Sequence, residues 1–473
     1  MRHIMLAALL LVSLITQVDA ASQIGHSLFA RGAATAQADG GQLRFLGPNT
    51  PLYEGDTLTT GNKSFAVIKL EDGTRMSLRP NTVFTLEQFK AEENSAVMRL
   101  FRGGFRALTG FISKRNSNGF KVNTGFTTIG IRGTTFDARI CEDDCQQEVS
   151  QYSQRKVTRS AVVGRVAMMH GSLAIRGRHQ RADQPPRQAV RGAPIYAGDQ
   201  LTTSSRSFAV LAFRDRSRIT LREDTEFAVE SLNFNDQDPT ANSALFRLVR
   251  GGIRALTGLI GKKNHHAYQV NTPFATIGIR GTGYDLVCLA DCVDHGNENA
   301  APAAGGPKQG LYAHVWDGEI TVKPTAASPG MPSPLQVLAV NQTLLLPGAN
   351  SLPDRLPAPP PAITQNPAPR PDQVDIDFDN LFGTIAQSDY PPGLFVNVIE
   401  GHVTLDTEDG QHIDLGADEA ATVDQADKQL VRLELAPTVL LHDRYLKAVN
   451  DDFLEFYDLL KNVDDDGYQC TIQ

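Results

Sequence analysis

The chain repeats itself. Residues 53–87, YEGDTLTTGNKSFAVIKLEDGTRMSLRPNTVFTLE, return at 196–230 as YAGDQLTTSSRSFAVLAFRDRSRITLREDTEFAVE, a constant offset of 143. After a five-residue difference, MRLFRGGFRALTGFI (98–112) matches FRLVRGGIRALTGLI (246–260), and VNTGFTTIGIRGT (122–134) matches VNTPFATIGIRGT (270–282), both at 148. A match this long and ordered is a duplicated domain, so any fold must be built twice from the same parts. At an offset of 147, VAMMHGSLAI (166–175) aligns with AHVWDGEITV (313–322), which places the end of copy one near residue 177. The same segment precedes IYAGD as SLFARGAATA precedes LYEGD, so it also serves to open copy two. A third echo, GLYAHVWDGEITV (310–322) against GLFVNVIEGHVTL (393–405), reuses a closing element.

Within each copy the pattern is mainly β. In TRMSLR, Met76 and Leu78 alternate with Arg75, Ser77 and Arg79; copy two alternates Ile219 and Leu221 with Arg218, Thr220 and Arg222. Period-two alternation predicts a strand with one wet face. SFAVIKL is apolar on both faces, as a strand buried between layers would be. Turn signals such as Glu71-Asp72-Gly73 and Arg79-Pro80-Asn81 cut the strands short. The stretch 438–463 instead sets Leu441, Tyr445, Val449, Phe453, Phe456 and Leu460 at helical spacing with acids opposite, which predicts an amphipathic helix packed on its own chain.

The first twenty residues carry Arg2, the apolar run Ile4 to Ile15, and small residues at Val18 and Ala20, the pattern of an export signal cleaved after Ala20. That run is shorter than the roughly 20 residues a spanning helix needs, and no later stretch is longer, so no membrane span is expected after cleavage. The expected organisation is a signal peptide at 1–20, copy one at 22–177, copy two at 178–348, a Pro-rich linker at 349–373 and an acidic C-terminal module at 374–473. The expected location is the periplasm or the medium. Charge divides along these lines. Residues 372–473 hold 23 Asp or Glu and 5 Lys or Arg, a net of −18, which leaves +10 for the rest of a chain whose total is −8. In an exported protein such a split points to an acidic tail docking on basic repeats, or to solvation of both, and not to nucleic acid.

The most chemically loaded stretch is FTTIGIRGTTFDARICEDDC, 126–145, which returns as FATIGIRGTGYDLVCLADC, 274–292. It lacks the spacing of a phosphate-cradling loop and no helix follows it. Gly130 and Gly133, with Gly278 and Gly281, permit a strand corner or close backbone approach. Arg132 precedes Asp137 by five residues and Arg280 precedes Asp285 likewise, so a guanidinium forking onto the carboxylate is the expected brace. FRGGFRAL and VRGGIRAL put Arg102 and Arg106, or Arg250 and Arg254, beside a Gly pair inside an apolar strand, which reads as a bend. Cys141 with Cys145, and Cys288 with Cys292, form Cys-x-x-x-Cys pairs; in an exported protein one disulfide per copy is expected. A zinc site of Cys288, Cys292 and His295 has no His counterpart in copy one. NVDDDGYQC mimics the start of a calcium loop but lacks its twelfth-position Glu, and Cys470 is left over. No catalytic, metal or cofactor constellation stands out, and the chain reads as no enzyme.

With EGDTLTTGNKSFAVIKLEDGTRMSLRPNTVFTL leading through RGGFRAL to VNTGFTTIGIRGTTFD and a closing G-x-V-x-V strand, each copy resembles a FecR domain. The resemblance covers residue 22 to about 348 twice over, and 393–424 resembles the family's closing strands. It implies tandem β-solenoid or β-sandwich-like domains of short strands. It also implies a periplasmic role, since founding members relay occupancy of an outer-membrane iron–siderophore receptor to a sigma factor. Those members carry a cytoplasmic anti-sigma segment and one membrane span where this chain has a cleavable signal. The expected function is therefore a non-enzymatic binding or scaffold module for an envelope protein or glycan. The alternatives are an accessory role in iron-responsive signalling through a separate membrane protein, and cell-wall carbohydrate binding.

Overall fold

The structure, a computed structural model, describes residues 22–441 except 117, 143, 150–160, 179, 181–184, 236–237, 290–307, 326–334, 349–350 and 384–389. The expected signal peptide, most of the expected helix, Cys292, His295, Cys470 and the NVDDDGYQC stretch lie outside the described residues. The chain divides into two compact units, the first holding copy one up to Cys141 and the second beginning at Glu142. Both are mainly β.

Copy one comprises β1 (Gln23–Arg31), β2 (Ala34–Gln37), β3 (Arg44–Phe45), β4 (Pro51–Tyr53), β5 (Thr57–Thr60), β6 (Phe65–Leu70), β7 (Arg75–Leu78), β8 (Val83–Lys90), β9 (Ser95–Leu108), β10 (Phe120–Asn123) and β11 (Thr127–Cys141). Copy two repeats the order as β12 (Val162–His170), β13 (Leu173–Arg176), β14 (Arg187–Gln188), β15 (Pro194–Tyr196), β16 (Gln200–Thr203), β17 (Phe208–Phe213), β18 (Arg218–Leu221), β19 (Glu226–Asn233), β20 (Ser243–Leu256), β21 (Tyr268–Asn271) and β22 (Ala275–Leu289). It continues through β23 (Gly310–Pro324), β24 (Gln336–Ala339), β25 (Thr343–Leu346) and β26 (Asp354–Leu356). A last group, β27 (Gly393–Thr407), β28 (His412–Leu415), β29 (Ala420–Asp424) and β30 (Leu430–Leu433), repeats the closing pattern.

β12 pairs with β15 and β17, and β13 with β14 and β16, as β1 pairs with β4 and β6, and β2 with β3 and β5. Residues 162–176 therefore belong to copy two's sheet. Of the two roles the repeat gave this segment, closing copy one and opening copy two, these pairings show the second.

Two long strands organise each copy. The first half of β9 pairs with β8 and, in parallel, with β10; its second half pairs with β7 and β11. The change of partners falls at Gly103-Gly104, the RGG bend. Gly103 has φ +75°, and a Cβ there would lie 2.6 Å from the Thr82 Cα. A Cβ on Gly104 would lie 2.7 Å from the Ala138 carbonyl oxygen. Only glycine lets these strands come so close while the backbone turns left-handed. The Thr82 hydroxyl then locks the bend from both sides, accepting from the Gly104 N–H and donating to its carbonyl, each at 3.0 Å. Thr225 does the same to Gly252 in copy two, at 2.9 and 3.0 Å.

The cores are built on the same positions with different side chains. In copy one Phe105 is the hub, edge-on to Phe84 and Phe136 with centroids 5.1 and 5.5 Å away. In copy two its counterpart is Ile253, and the hub is Phe246, where copy one has Met98. Phe246 meets Phe213, Phe227 and Tyr268 at 5.1, 5.5 and 5.3 Å. One methionine–phenylalanine pair has become a phenylalanine–isoleucine pair, which roughly conserves volume as close packing requires.

β6 is buried on both faces apart from Lys69, as the sequence reading expects of a strand between layers. The expected wet face of β7 and β18 is dry: Ser77, Thr220, Arg79 and Arg222 are all buried. In copy two the cover is visible, because the chain after β26 returns across this face. Alternation showed correctly which side chains share a face; it could not show that a distant segment covers it.

Replacing Gly251, φ +79° and with a Cβ position 2.5 Å from the Thr225 Cα, by Ala should destabilise unit two by at least about 2 kcal/mol. Chemical denaturation of the full chain checks this, and Gly192→Ala, also at positive φ but with open space around it, should cost less.

Candidate functional site

β11 and β22 turn at the GIRGT core. Gly133 and Gly281 adopt φ +57° and +61°, so β11 pairs with β10 before the corner and with β9 after it. Threonines clip the corner to the end of β9 and β20: the Thr134 N–H donates to Thr109 Oγ1 at 2.8 Å, and Thr282 to Thr257 at 2.7 Å. Gly130 and Gly278 sit inside strand pairs before the corner. In copy two the corner receives a second one, since a Cβ on Gly318 of β23 would lie 2.6 Å from the Gly281 carbonyl oxygen.

The arginines are distributed differently from the expected brace. Asp137 is bound by Arg106 of the RGG strand, whose Nε and Nη2 donate to Oδ1 and Oδ2 at 2.5 and 2.6 Å. Arg132 is not its partner, because the corner rotates residue 132 away while residue 106 lies directly across the ladder from residue 137. Arg280 pairs instead with Glu319 across β22 and β23, at 3.3 Å and largely exposed. A five-residue spacing along a strand was the wrong measure; the cross-strand partner decides.

In copy two the equivalent of Arg106 has a second task. Arg254 lies 3.4 Å from Asp285, but its Nη1 and Nη2 donate to the carbonyls of Ala368 and Ile363 at 2.7 and 2.8 Å. Arg222 donates to the Ala362 carbonyl at 2.5 Å, and Arg218 to those of Val374 and Pro371 at 3.0 and 3.3 Å. Three arginines thus hold five main-chain carbonyls of residues 361–374, the Pro-rich stretch. Proline has no N–H, so its segments present unpaired carbonyls well suited to such donors. Ile363 buries itself beside Val287, Tyr312 and Leu345. Arg370 stacks 4.0 Å over Trp316, and Phe378 and Phe382 lie under Arg218 and Arg214 at 5.3 and 5.2 Å. This strap is fastened by guanidinium–carbonyl bonds and cation–π contacts along its length.

Asp285 feels the redistribution. Burial pushes its carboxyl up to about 6, against the pull of Arg254 and Arg222. Its Oδ1 is buried without a hydrogen bond.

A second fastening joins the last strands to copy two. Glu419, buried, takes Arg165 of β12 on one oxygen and Arg432 of β30 on the other, the latter at 3.4 Å. Arg165 also donates to the carbonyls of Gly192 and Asp414 at 2.5 and 3.2 Å. Burial raises the Glu419 pKa, but the two guanidiniums outweigh it and hold the carboxyl below its ordinary value. Burial and then Arg165 lower Arg432 to about 9, so it stays cationic at neutral pH. The strands that flank Glu419 are therefore fastened to β12 through one buried acid between two bases. Sequence reading anticipated the charge split but missed Glu419, an unremarkable acid in ADEAATV. It missed the clip threonines too, although Thr82 and Thr225, and Thr109 and Thr257, recur at the repeat offsets.

Cys141, Cys145 and Cys288 are disulfide-bonded. Cys292, the expected partner of Cys288, lies outside the described residues. Among the described residues no group of three or more His, Cys, Asp or Glu is arranged to hold a metal ion.

A mainly β chain whose two copies share glycine corners and arginine-bound carboxylates defines a tandem-domain protein with no visible reaction centre among the described residues. The family model described as FecR protein matches it twice, at residues 56–153 and 199–297, so the chain carries two tandem FecR domains. Two crystal structures described as a putative anti-sigma factor from Parabacteroides distasonis ATCC 8503 resemble it at 11% identity and a TM-score of 0.24. The resemblance covers 35% of this chain and 62% of that one, too slight to carry an argument. No curated protein matches.

Glu419→Gln leaves two buried guanidiniums facing a neutral group and should destabilise unit two by about 3–5 kcal/mol in equilibrium unfolding. The combined change Arg165→Met, Glu419→Leu, Arg432→Met should recover most of that loss. A raised carboxyl such as Asp285 contributes stability that is complete below its unfolded value of 3.8 and lost as pH rises through about 6. Stability should therefore fall by on the order of 2 kcal/mol across that window, and Asp285→Asn should flatten the fall. The part that persists belongs to the other carboxyls that burial raises: Asp199, to about 6, and Asp215 and Asp418.

Proposed function

We propose that this chain is a non-enzymatic exported scaffold whose FecR domains hold polypeptide segments of an envelope protein by their main chain. The strap supports this reading: copy two grips a proline-containing stretch, with helical turns at Pro361–Thr364 and Pro371–Gln373, through five main-chain carbonyls. Main-chain recognition of this kind is indifferent to most side chains and suits a polypeptide better than a glycan. The buried acids at the most charged sites, Asp137 and Glu419, are occupied by arginines, which supports a structural use for them. Among the described residues no helix is long and apolar enough to cross a membrane.

A second reading follows from the two FecR matches: an accessory in iron-responsive signalling to a sigma factor, acting through a separate membrane protein. A strain lacking the gene should then lose its transcriptional response to iron starvation.

In the first reading, photocrosslinking in intact cells from exposed strand positions such as Phe45 and Phe101 should capture one recurring envelope protein. Capture of glycan alone, or of nothing above a background set by a non-crosslinking control, counts against it.

A further inference from the structure

One guanidinium in copy two stands between two claimants. Arg254 lies directly opposite Asp285 across β20 and β22, in the register that sets Arg106 opposite Asp137 across β9 and β11. In copy one the pair is closed, with Arg106 Nε on Oδ1 and Nη2 on Oδ2. In copy two it stands open. Arg254 Nε makes no hydrogen bond, and Asp285 Oδ1, 3.4 Å from it, makes none either. Nη1 and Nη2 go instead to the strap, to the carbonyls of Ala368 and Ile363 at 2.7 and 2.8 Å. A charge-assisted bond to the carboxylate needs about 2.7–2.9 Å, and the guanidinium is a rigid plane. Bringing Nε that close therefore draws Nη1 and Nη2 off the carbonyls they hold.

The charge on Asp285 decides between the two arrangements. A neutral carboxyl leaves the guanidinium to the carbonyls, whereas an ionised one, buried and short of a partner, is costly until a charged donor meets it. We propose that Arg254 is a two-position switch, fastening the strap while Asp285 is protonated and turning to the carboxylate, with release of Ile363 and Ala368, once Asp285 is ionised. Arg218 and Arg222 keep their own carbonyls, so the strap loosens in its middle and stays attached. Burial pushes the Asp285 carboxyl up to about 6. The strap is therefore tight below that pH and looser above it. The charges that face Asp285 are Arg254, Arg222 just after β18, and Arg370 and Asp372 of the strap, which pair with each other. His314 stands across the ladder on β23, with Nδ1 3.0 Å from Thr343 Oγ1, and burial holds its imidazole below the ordinary value. The switch is independent of which partner the scaffold holds.

The chain carries its own reporter. Its one tryptophan, Trp316, lies 4.0 Å under Arg370 of the strap, two residues on from Ala368. In the full chain, quenching of Trp316 by acrylamide should rise with pH, with a midpoint near 6, while far-UV circular dichroism stays constant. The amides of 363–365, which bond back to Pro360 and Pro361, should lose about tenfold in hydrogen-exchange protection between about pH 5 and pH 7.5, after correction for the chemical rate. Asp285→Asn, which cannot ionise, should remove both changes and keep the strap tight throughout. His314→Gln should leave both in place. Quenching and strap protection that do not vary with pH overturn the proposal, as do a titration that survives Asp285→Asn or one that disappears in His314→Gln. A change that coincides with loss of circular dichroism overturns it too, because it marks unfolding of the unit and not local release. The unsubstituted chain and His314→Gln decide the matter if Asp285→Asn fails to fold.

Discussion

Everything in this fold hangs on places where a side chain cannot be. At Gly103, Gly104 and Gly251 the backbone of one strand stands where a neighbour's Cβ would be. That closeness lets a single long strand leave one set of partners and join another. Without the bend, β9 and β20 would run straight, and the short strands on either side could not be gathered over one core. The threonine hydroxyls that bind the glycine main chain in both directions convert a permissive joint into a fixed one. They do so without charge, inside the protein, where each unmet donor or acceptor is costly.

Arginine is the second structural currency, and its use diverges between the copies. In copy one Arg106 is spent wholly on Asp137, with two short parallel bonds. In copy two the same residue is shared between Asp285 and the strap, and the aspartate is left partly unmet and hard to ionise. The duplication thus kept the parts and changed the wiring. A buried carboxylate need not be served equally well in both copies if the loss in one is offset by a fastening elsewhere.

How much of this was legible in the sequence depended on the range of the interaction. Strand periodicity placed Met76, Leu78, Ile219 and Leu221 on a buried face, because that information lies within a few residues. The repeat offsets carried the tandem organisation, and GIRGT carried the corner, since positive φ at Gly133 is a local demand. Long-range pairing was not legible. Arg132 and Asp137 are close in sequence, but the strand geometry gives Asp137 to Arg106, thirty-one residues away. The dry face of β18 depends on a strap more than a hundred residues downstream, and Glu419 meets an arginine 254 residues before it. Nothing in the composition of ADEAATV marks its acid as buried.

The exchanged hubs of the two cores bear on how such a chain reaches its native state. Two halves with nearly the same strand sequences can pair with each other as readily as with themselves, and tandem repeats are prone to that kind of misassembly. Here, seating β9 in the second core would put Met98 where Phe246 belongs and Phe105 where Ile253 belongs, leaving a hollow at one point and a collision at another. The reverse exchange fails in the opposite sense. A swap of two side chains, nearly neutral for either domain alone, gives each half a way to recognise its own strands.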